Sequence, residues 1–482
     1  VNGMSGVEPG ALLPEIALAV GAVAALLTGS WTPRRRQWVT RWIAVAATAA
    51  AVAAAAAAMA RPAEVTATGG YALDLGTHLA RLVVAAGTLV TALIAADHVA
   101  GHRRESEFHV LLLLGALGTV VMAGASDLLV LTAGYLLASI PIYALVGFGK
   151  DARGTEAALK YYLMGALSGV LLLSGVTVVF GAGGATDYAT LAETLPAAPS
   201  SAVAVGTVAL LAGLLFKSGA VPAHFWIPDA TQGAPSPVAA FITTVPKIGA
   251  LVAVYRFGGQ ALAGAAVDWP LFAAVLAAAS MTLGNLAAFF QDDVRRLLAY
   301  STISQIGYLL MAVAAARAAE SALPSLLFYL AAYTVTNLGA FAVVCALPRA
   351  RAIADYIGLL RRRPRMALSL IVCLLGLVGT PPTAVFIGKL TVFTAALDAG
   401  LGWLVVVAAV NTVASLFYYL RWILPVFRAA PAREGADGAA EPSGDVARWS
   451  AGIAVTAAAA SLGLGVASSP VLGLLQSGAL LP

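Results

Sequence analysis

Charge is what this sequence has least of. Only 11% of its 482 residues are Asp, Glu, Lys or Arg, whereas a soluble globular chain carries roughly 25%. With 60% hydrophobic residues and a mean hydropathy of +0.90, that shortage excludes a soluble domain and implies a polytopic membrane protein. Cysteine is also scarce. Cys345 and Cys373 lie in apolar segments without metal-ligand spacing, which excludes a disulfide framework and gives no support to an iron–sulfur site. There is no Gly-rich phosphate loop, nucleotide fingerprint, CxxC pair or Ser/His/Asp set. The net charge of +5 comes mostly from loop arginines, so it calls for a bilayer partner rather than nucleic acid. The first twenty residues lack a basic n-region and a small-residue cleavage site, so their apolar run is expected to be a retained helix.

Apolar length is what the chain has in abundance. A helix crossing about 30 Å of hydrocarbon needs about 20 apolar residues. That ruler predicts about fourteen transmembrane helices in an all-α polytopic fold, near residues 11–28, 39–59, 78–96, 108–124, 128–148, 157–180, 202–227, 237–255, 271–290, 297–315, 323–347, 366–396, 401–424 and 448–475. Two of them carry helix-breaking sequence, near 214–227 and 375–390. The predicted organisation is N-terminal helices over 1–107, two central units over 108–255 and 256–400, and C-terminal helices over 401–482 with a polar loop at 429–447.

Basic residues fall on alternate loops. Twenty lie in one set, from Arg34, Arg35 and Arg36 to Arg421, Arg428, Arg433 and Arg448, against four (Arg61, Arg81, Arg256 and Arg317) in the other. The positive-inside bias then puts the basic loops in the cytoplasm and both termini outside. The placement implied is a multi-pass protein of the cell inner (plasma) membrane.

Lysine obeys a different rule from arginine. Of five lysines only Lys150 sits in a loop; Lys160, Lys217, Lys247 and Lys389 fall inside predicted spans. A desolvated lysine can release its proton while arginine stays charged, and an ionisable group in a hydrocarbon-spanning helix is by default functional. Each also has an unremarkable reading, because a lysine near a span end can snorkel to the interface. That reading applies most to Lys160. Lys217 and Lys247 bracket the stretch FKSGAVPAHFWIPDATQGAPSPVAAFITTVPK, with His224, Asp229 and Pro222, Pro228, Pro235, Pro237 and Pro246 between them. Prolines at that depth free backbone groups that only protein or a wet cavity can satisfy. The segment LGLVGTPPTAVFIGKLTVF repeats this logic before Lys389, and paired broken helices point to internal repeats around a midplane site. Ser301, Thr302, Ser304 and Gln305 either bond across helices or line a wet path.

These stretches, with TEAALKYYLMGALSGVLLL, NLAAFFQDDVRRLLAYSTISQIGYLL and FYLAAYTVTNLGAFAVV, resemble the antiporter-like membrane subunits of respiratory complex I, the NADH-quinone oxidoreductase. KYYLMGALSG and FIGK are most similar to the subunit N branch. The resemblance spans residues 155–393. It implies two inverted five-helix repeats, each with a broken helix, and a midplane line of ionisable groups that moves protons while quinone is reduced elsewhere. It further implies a proton relay of Lys217, Lys247, Lys389 and Lys160, with His224 as a candidate member. No cofactor is expected on this chain, since NADH and quinone belong to the wider complex, and the expected partners are its other membrane subunits. In one place the sequence departs from the family. The fifth-span segment G-x-E-L-x-S-x-P-x-Y reads GYLLASIPIY here, so Leu136 stands where the resemblance places the glutamate partner of Lys217. Two other readings stay open: a subunit of a multisubunit cation/proton antiporter, and a divergent, largely structural paralogue.

Overall fold

The computed structural model describes residues 9–60, 64–65, 70–429 and 447–476; the loop expected at 429–447 falls mostly outside them, as do Arg61 and Arg433. Helices are α1 (Leu13–Trp31), α2 (Trp38–Ala58), α3 (Leu75–Val99), α4 (Glu105–Gly124), α5 (Leu128–Leu137), α6 (Ile140–Val146) and α7 (Ala152–Gly183). Then come α8 (Tyr188–Thr194), α9 (Ser200–Ser218), α10 (Trp226–Gly233), α11 (Ser236–Arg256), α12 (Trp269–Ala288), α13 (Val294–Ala314) and α14 (Ala322–Ala346). The last are α15 (Leu359–Arg362), α16 (Pro364–Val378), α17 (Ala384–Asp398), α18 (Gly402–Phe427), α19 (Arg448–Val466) and α20 (Ser468–Gln476). The sheet among the described residues is a two-residue antiparallel ladder, Glu64–Val65 with Ala72–Leu73.

Thirteen segments among the described residues are long and apolar enough to cross a membrane. The interrupted pair α16 and α17 supplies one further crossing, which gives the fourteen that the sequence predicts. Burial grades from the edge to the middle. Helix α11 is wholly buried in its apolar window, α13 and α14 nearly so, while α1, α2, α18 and α19 turn most of their surface outward. A helix apolar on every side belongs in the core of such a bundle, and the lysine-bearing α11 is that helix.

Local devices recur along the chain. Asp127 caps α5 by accepting from the Leu129 and Val130 amides, and Asp293 caps α13 by accepting from the Arg295 and Arg296 amides. An N-cap carboxylate satisfies donors that have no intrahelical partner. Likewise α9 and α16 each end at a left-handed glycine, Gly219 (φ 84°) and Gly379 (φ 87°), a conformation that costs any residue with a Cβ.

Two features differ from the sequence reading. The fifth span is split: α5 stops at Leu137 and α6 begins at Ile140, with Pro141 in its first turn. By comparison, α11 runs unbroken through Pro246, as the 237–255 span was read. Finally, two of the four arginines assigned to the sparsely charged loops are inside the fold. Arg81 lies within α3 and Arg256 ends α11, both essentially inaccessible. Arg256 makes a bidentate pair with Asp74 at 2.7 and 2.9 Å, and Arg81 Nε donates to Glu15 at 2.7 Å. Buried charges persist only when paired, and these pairs fasten α11 to the start of α3 and α1 to α3.

Candidate functional site: three amines on helix ends

The break in the fifth span creates the first amine site. In a continuous helix the Ala138 carbonyl would accept from the Ile142 amide. Here the Ile142 amide turns to Ser139, and the Lys217 amine, fully buried, donates to Ala138 at 3.0 Å. The Tyr135 ring lies 5.3 Å from the same nitrogen.

The second site is built on the first break. Helix α9 closes with the Gly219 and Ala220 amides both on the Leu215 carbonyl, which leaves the carbonyls of Phe216 and Lys217 facing the interruption. Trp226 Nε1 donates to Phe216 at 3.0 Å, and the Lys247 amine donates to Lys217 at 3.3 Å. The Trp226 ring stands 4.4 Å from that amine. A Cβ at Gly219 would lie 3.0 Å from Lys247 Nζ and 2.0 Å from Ile227 Cδ1, so this glycine makes room as well as the turn.

The third site repeats the second. Helix α16 closes with the Gly379 and Thr380 amides on Leu375. Its last carbonyls, Leu377 and Val378, are taken by Gln305 Nε2 at 2.7 Å and by the Lys389 amine at 2.9 Å. The Tyr308 ring is 4.0 Å from Lys389 Nζ. All three buried lysines therefore meet the carbonyl end of an interrupted helix and the face of an aromatic ring. The carbonyl end of a helix carries about half a negative charge and favours a cation by about 0.3–2 kcal/mol, and a desolvated cation–π contact adds about 2 kcal/mol. Desolvating an ion costs several kcal/mol. These opposed terms are comparable, so neighbouring charge and hydration decide whether each amine holds a proton.

Between the second and third sites lies a series of polar side chains, on α13 where the sequence already marks Thr302 and Gln305, and on α11 and α14 where it does not. Asn337 Nδ2 donates to the Thr243 and Thr244 hydroxyls at 3.2 and 2.7 Å, one turn before Lys247. The Tyr333 hydroxyl lies 2.9 Å from the Thr243 carbonyl and 3.0 Å from Thr302 Oγ1. One turn along α13, Gln305 accepts from the Tyr329 hydroxyl at 2.6 Å. A further turn brings Tyr308, whose hydroxyl is 3.0 Å from Thr412 Oγ1, and the Lys389 amine approaches Thr412 at 3.5 Å. Thr302, Gln305 and Tyr308 form one stripe of α13, and Tyr329, Tyr333 and Asn337 one stripe of α14, by the i+3 and i+4 spacing of a helix face. Of the four α13 residues singled out in the sequence, Ser301 pairs with the Tyr419 hydroxyl, while Ser304 Oγ is buried with no protein partner.

Two expected relay residues stand apart. His224 is buried inside the first break with its ring centroid 4.3 Å from that of Phe225. The Lys160 side chain is 49% accessible and pairs with Glu156 at 2.7 Å and Asp229 at 3.0 Å. It belongs to a charged surface cluster, separate from the three buried amines. Leu136 is also on the outside, 39% exposed, while its neighbour Tyr135 faces Lys217.

Fourteen apolar crossings, with intramembrane lysines seated on interrupted helices, define a multi-pass helical membrane protein of the antiporter-like class. Residues 125–415 match the family model described as NADH:quinone oxidoreductase/Mrp antiporter, transmembrane. NADH-quinone oxidoreductase subunit N 1 of Streptomyces griseus is 56% identical over 97% of this chain and 98% of its own length. Subunit N of a Mycobacterium species is 50% identical over 98% and 99%. Among solved structures, a chain of respiratory complex I from Thermus thermophilus superposes with a TM-score of 0.80 at 31% identity, over 97% of this chain and 100% of that one. A chain of the Mrp complex from Dietzia shares the fold, with a TM-score of 0.84 at 23% identity over 98% of this chain and 97% of that one. The chain belongs to the NADH:quinone oxidoreductase/Mrp antiporter membrane family.

Proposed function

We propose that this protein is the subunit N component of a bacterial NADH-quinone oxidoreductase and moves protons across the plasma membrane without a redox centre of its own. NADH and quinone are handled by other subunits. The basic loops face the cytoplasm, both termini face outside, and the neighbours are the remaining membrane subunits of the complex. The observation that carries the reading is the seating of Lys217, Lys247 and Lys389, each between a helix-end carbonyl and an aromatic ring, with hydroxyl and amide groups lying between Lys247 and Lys389.

Protons move in this scheme by exchange between amines. Lys247 is bonded to the backbone of the residue that carries the first amine, so a proton on one disfavours a proton on the other. A charge arriving at Lys217 drives a proton from Lys247 into the polar series toward Lys389. The hydroxyls of Thr302, Tyr333, Tyr308 and Thr412 can each accept and donate, and hydration of the two breaks closes the remaining gaps. With Leu136 in place of a carboxylate and turned outward, the counter-charge that Lys217 meets within this chain is the Ala138 carbonyl end of α5. Replacement of Lys389 by alanine tests the scheme: protons transferred per electron fall while the complex assembles and reduces quinone. An unchanged ratio would exclude Lys389 from the path. The reading of the chain as a cation/proton antiporter subunit draws on the family model, which covers both classes, and on the fold shared with the Mrp chain, and cation-dependent exchange by the isolated assembly would favour it.

A further inference from the structure

We infer that the seam between α3 and α19 binds one anionic phospholipid of the basic-loop leaflet, with its phosphate among the arginines at the starts of α2 and α19 and an acyl chain in the groove beneath. The groove has a volume of about 280 Å³ and lies between Leu82, Ala86 and Val90 of α3 and Ile453, Ala457 and Ala460 of α19, with α14 as its floor. The hydroxyls on its wall, Thr334 and Thr456, each donate to a carbonyl of their own helix. An occupant therefore meets apolar surface and no free hydrogen-bonding group. The site needs the bilayer but no part of the proton path.

The end of the seam nearest the basic loops is clamped and marked. Asp97 of α3 accepts from the Ser450 amide at 2.8 Å and from the Ser450 hydroxyl at 2.9 Å, which pins the start of α19 to α3. Trp449 lies on the same stripe of α19 as Ile453, Thr456 and Ala460 by helical spacing, and its ring meets that of Trp42 on α2, centroids 6.2 Å apart. With Trp31 and Trp38 they put four exposed tryptophans at this end, of eight in the chain. Tryptophan collects at the headgroup level of a bilayer, so the Trp42–Trp449 pair marks the depth at which a phosphate sits. At 1.5 Å per residue the groove reaches about 16 Å below Trp449 along α19, to Ala460, and about 22 Å below Asp97 along α3, to Leu82. The hydrocarbon core is about 30 Å thick. The groove is deep enough for one leaflet's acyl chain and too short for a spanning partner helix.

Charge selects the headgroup. Arg34, Arg35 and Arg36 form the turn between α1 and α2, Arg448 is the first residue of α19, and all four are exposed. None has an acidic partner among the described residues, because the nearby carboxylates are engaged elsewhere. Glu105 pairs with Arg41, Glu107 accepts from the Ser106 hydroxyl at 2.8 Å, and Asp97 holds Ser450. Trp38 and Trp42 stand one turn apart on α2, so one helix face leads from the tryptophan pair up to the arginine turn. Guanidinium groups bind phosphate oxygens bidentately, and a phosphodiester anchored there lets its acyl chain descend into the groove. A zwitterionic headgroup would bring a cation of its own against the same arginines. The bound lipid would fill the gap between α3 and α19 and brace the α1–α2 hairpin against the bundle.

The test uses the assembled complex in vesicles that contain phosphatidylglycerol with a diazirine on its acyl chain, and in matched vesicles with the same probe on phosphatidylcholine. Adducts are mapped by mass spectrometry after illumination. Peptides of α3 and α19 that line the groove are expected to take the phosphatidylglycerol probe over the phosphatidylcholine probe by about tenfold. The outward face of α7 around Leu167, exposed and far from these arginines in sequence, is the reference and is expected to take both equally. Arg34→Gln, Arg35→Gln, Arg36→Gln and Arg448→Gln combined are expected to bring the groove ratio close to that of the reference. Ala86→Phe, which fills the groove, is expected to remove the groove adducts of both probes. Equal labelling of the groove by the two probes would show bulk lipid only and overturn the site. An absence of groove adducts, the result if another subunit covers the seam, would overturn it too. So would a preference that survives the loss of the four arginines. Those arginines are on the surface, so this arm decides the matter even where Ala86→Phe fails to assemble.

Discussion

The Lys247 amine is hydrogen-bonded to the carbonyl of Lys217, 3.3 Å away, at the point where α9 ends. One lysine thus meets the carbonyl end of the broken helix at the residue that carries the other buried amine. Gly219 lets the two approach, and it is the most sensitive position of the arrangement. Gly219→Ala places a methyl 2.0 Å from Ile227 Cδ1 and 3.0 Å from Lys247 Nζ at a positive φ that costs about 1–2 kcal/mol by itself. The variant is expected to melt lower and to transfer protons poorly. Gly181→Ala, where a Cβ meets nothing within 4 Å, is the control and is expected to be neutral in both measurements.

Thr412 joins Lys389 to Tyr308. Thr412→Val keeps the shape and removes the hydroxyl from both contacts, at a cost of about 1 kcal/mol per lost hydrogen bond. The proton-to-electron ratio is expected to fall with a small drop in melting temperature, and Thr412→Ser should retain both.

The Asp74–Arg256 pair is structural, and its signature is acid sensitivity. Burial works to raise the Asp74 pKa from its ordinary 3.8, but the Arg256 guanidinium and the Thr77 hydrogen bonds outweigh it and leave it lowered. A carboxylate depressed in the folded state stabilises at pH values above its unfolded pKa, and that contribution is lost as pH falls through the lower folded value. Asp74→Asn leaves Arg256 buried without its counter-ion and is expected to cost about 3–5 kcal/mol at neutral pH. The gap between wild type and variant, followed by thermal melts, should be constant above pH 5 or so and shrink below about pH 4.

Much of this arrangement was legible in the sequence. Apolar length alone predicts the fourteen crossings, because the bilayer imposes one ruler on every span. Lys217, Lys247 and Lys389 stand out because lysine is scarce, with only Lys150 and Lys160 besides them in the chain. Their helix-end carbonyls do not stand out, because a carbonyl has no letter in a sequence. The break at Ala138 was signalled only by Pro141, in a span that reads as continuous. Thr302 was marked by its polar neighbours, but Thr243, Tyr329, Tyr333 and Asn337 are ordinary residues of membrane helices, and only the crossing of α11, α13 and α14 brings their polar atoms near it. Arg81 and Arg256 were misplaced because the loop-charge rule counts position and cannot see a partner such as Glu15 or Asp74, which come from other helices. Lys160 shows the same limit from the other side: it lies inside a hydrophobic segment, yet its partners are Glu156 on the same helix and Asp229 on another.

The central claim is that Lys247 links the two halves of the path, and the proton-to-electron ratio of the reconstituted complex carrying Lys247→Ala tests it most directly. A lowered ratio is expected, with assembly and quinone reduction intact. A ratio equal to that of the wild-type complex would contradict it.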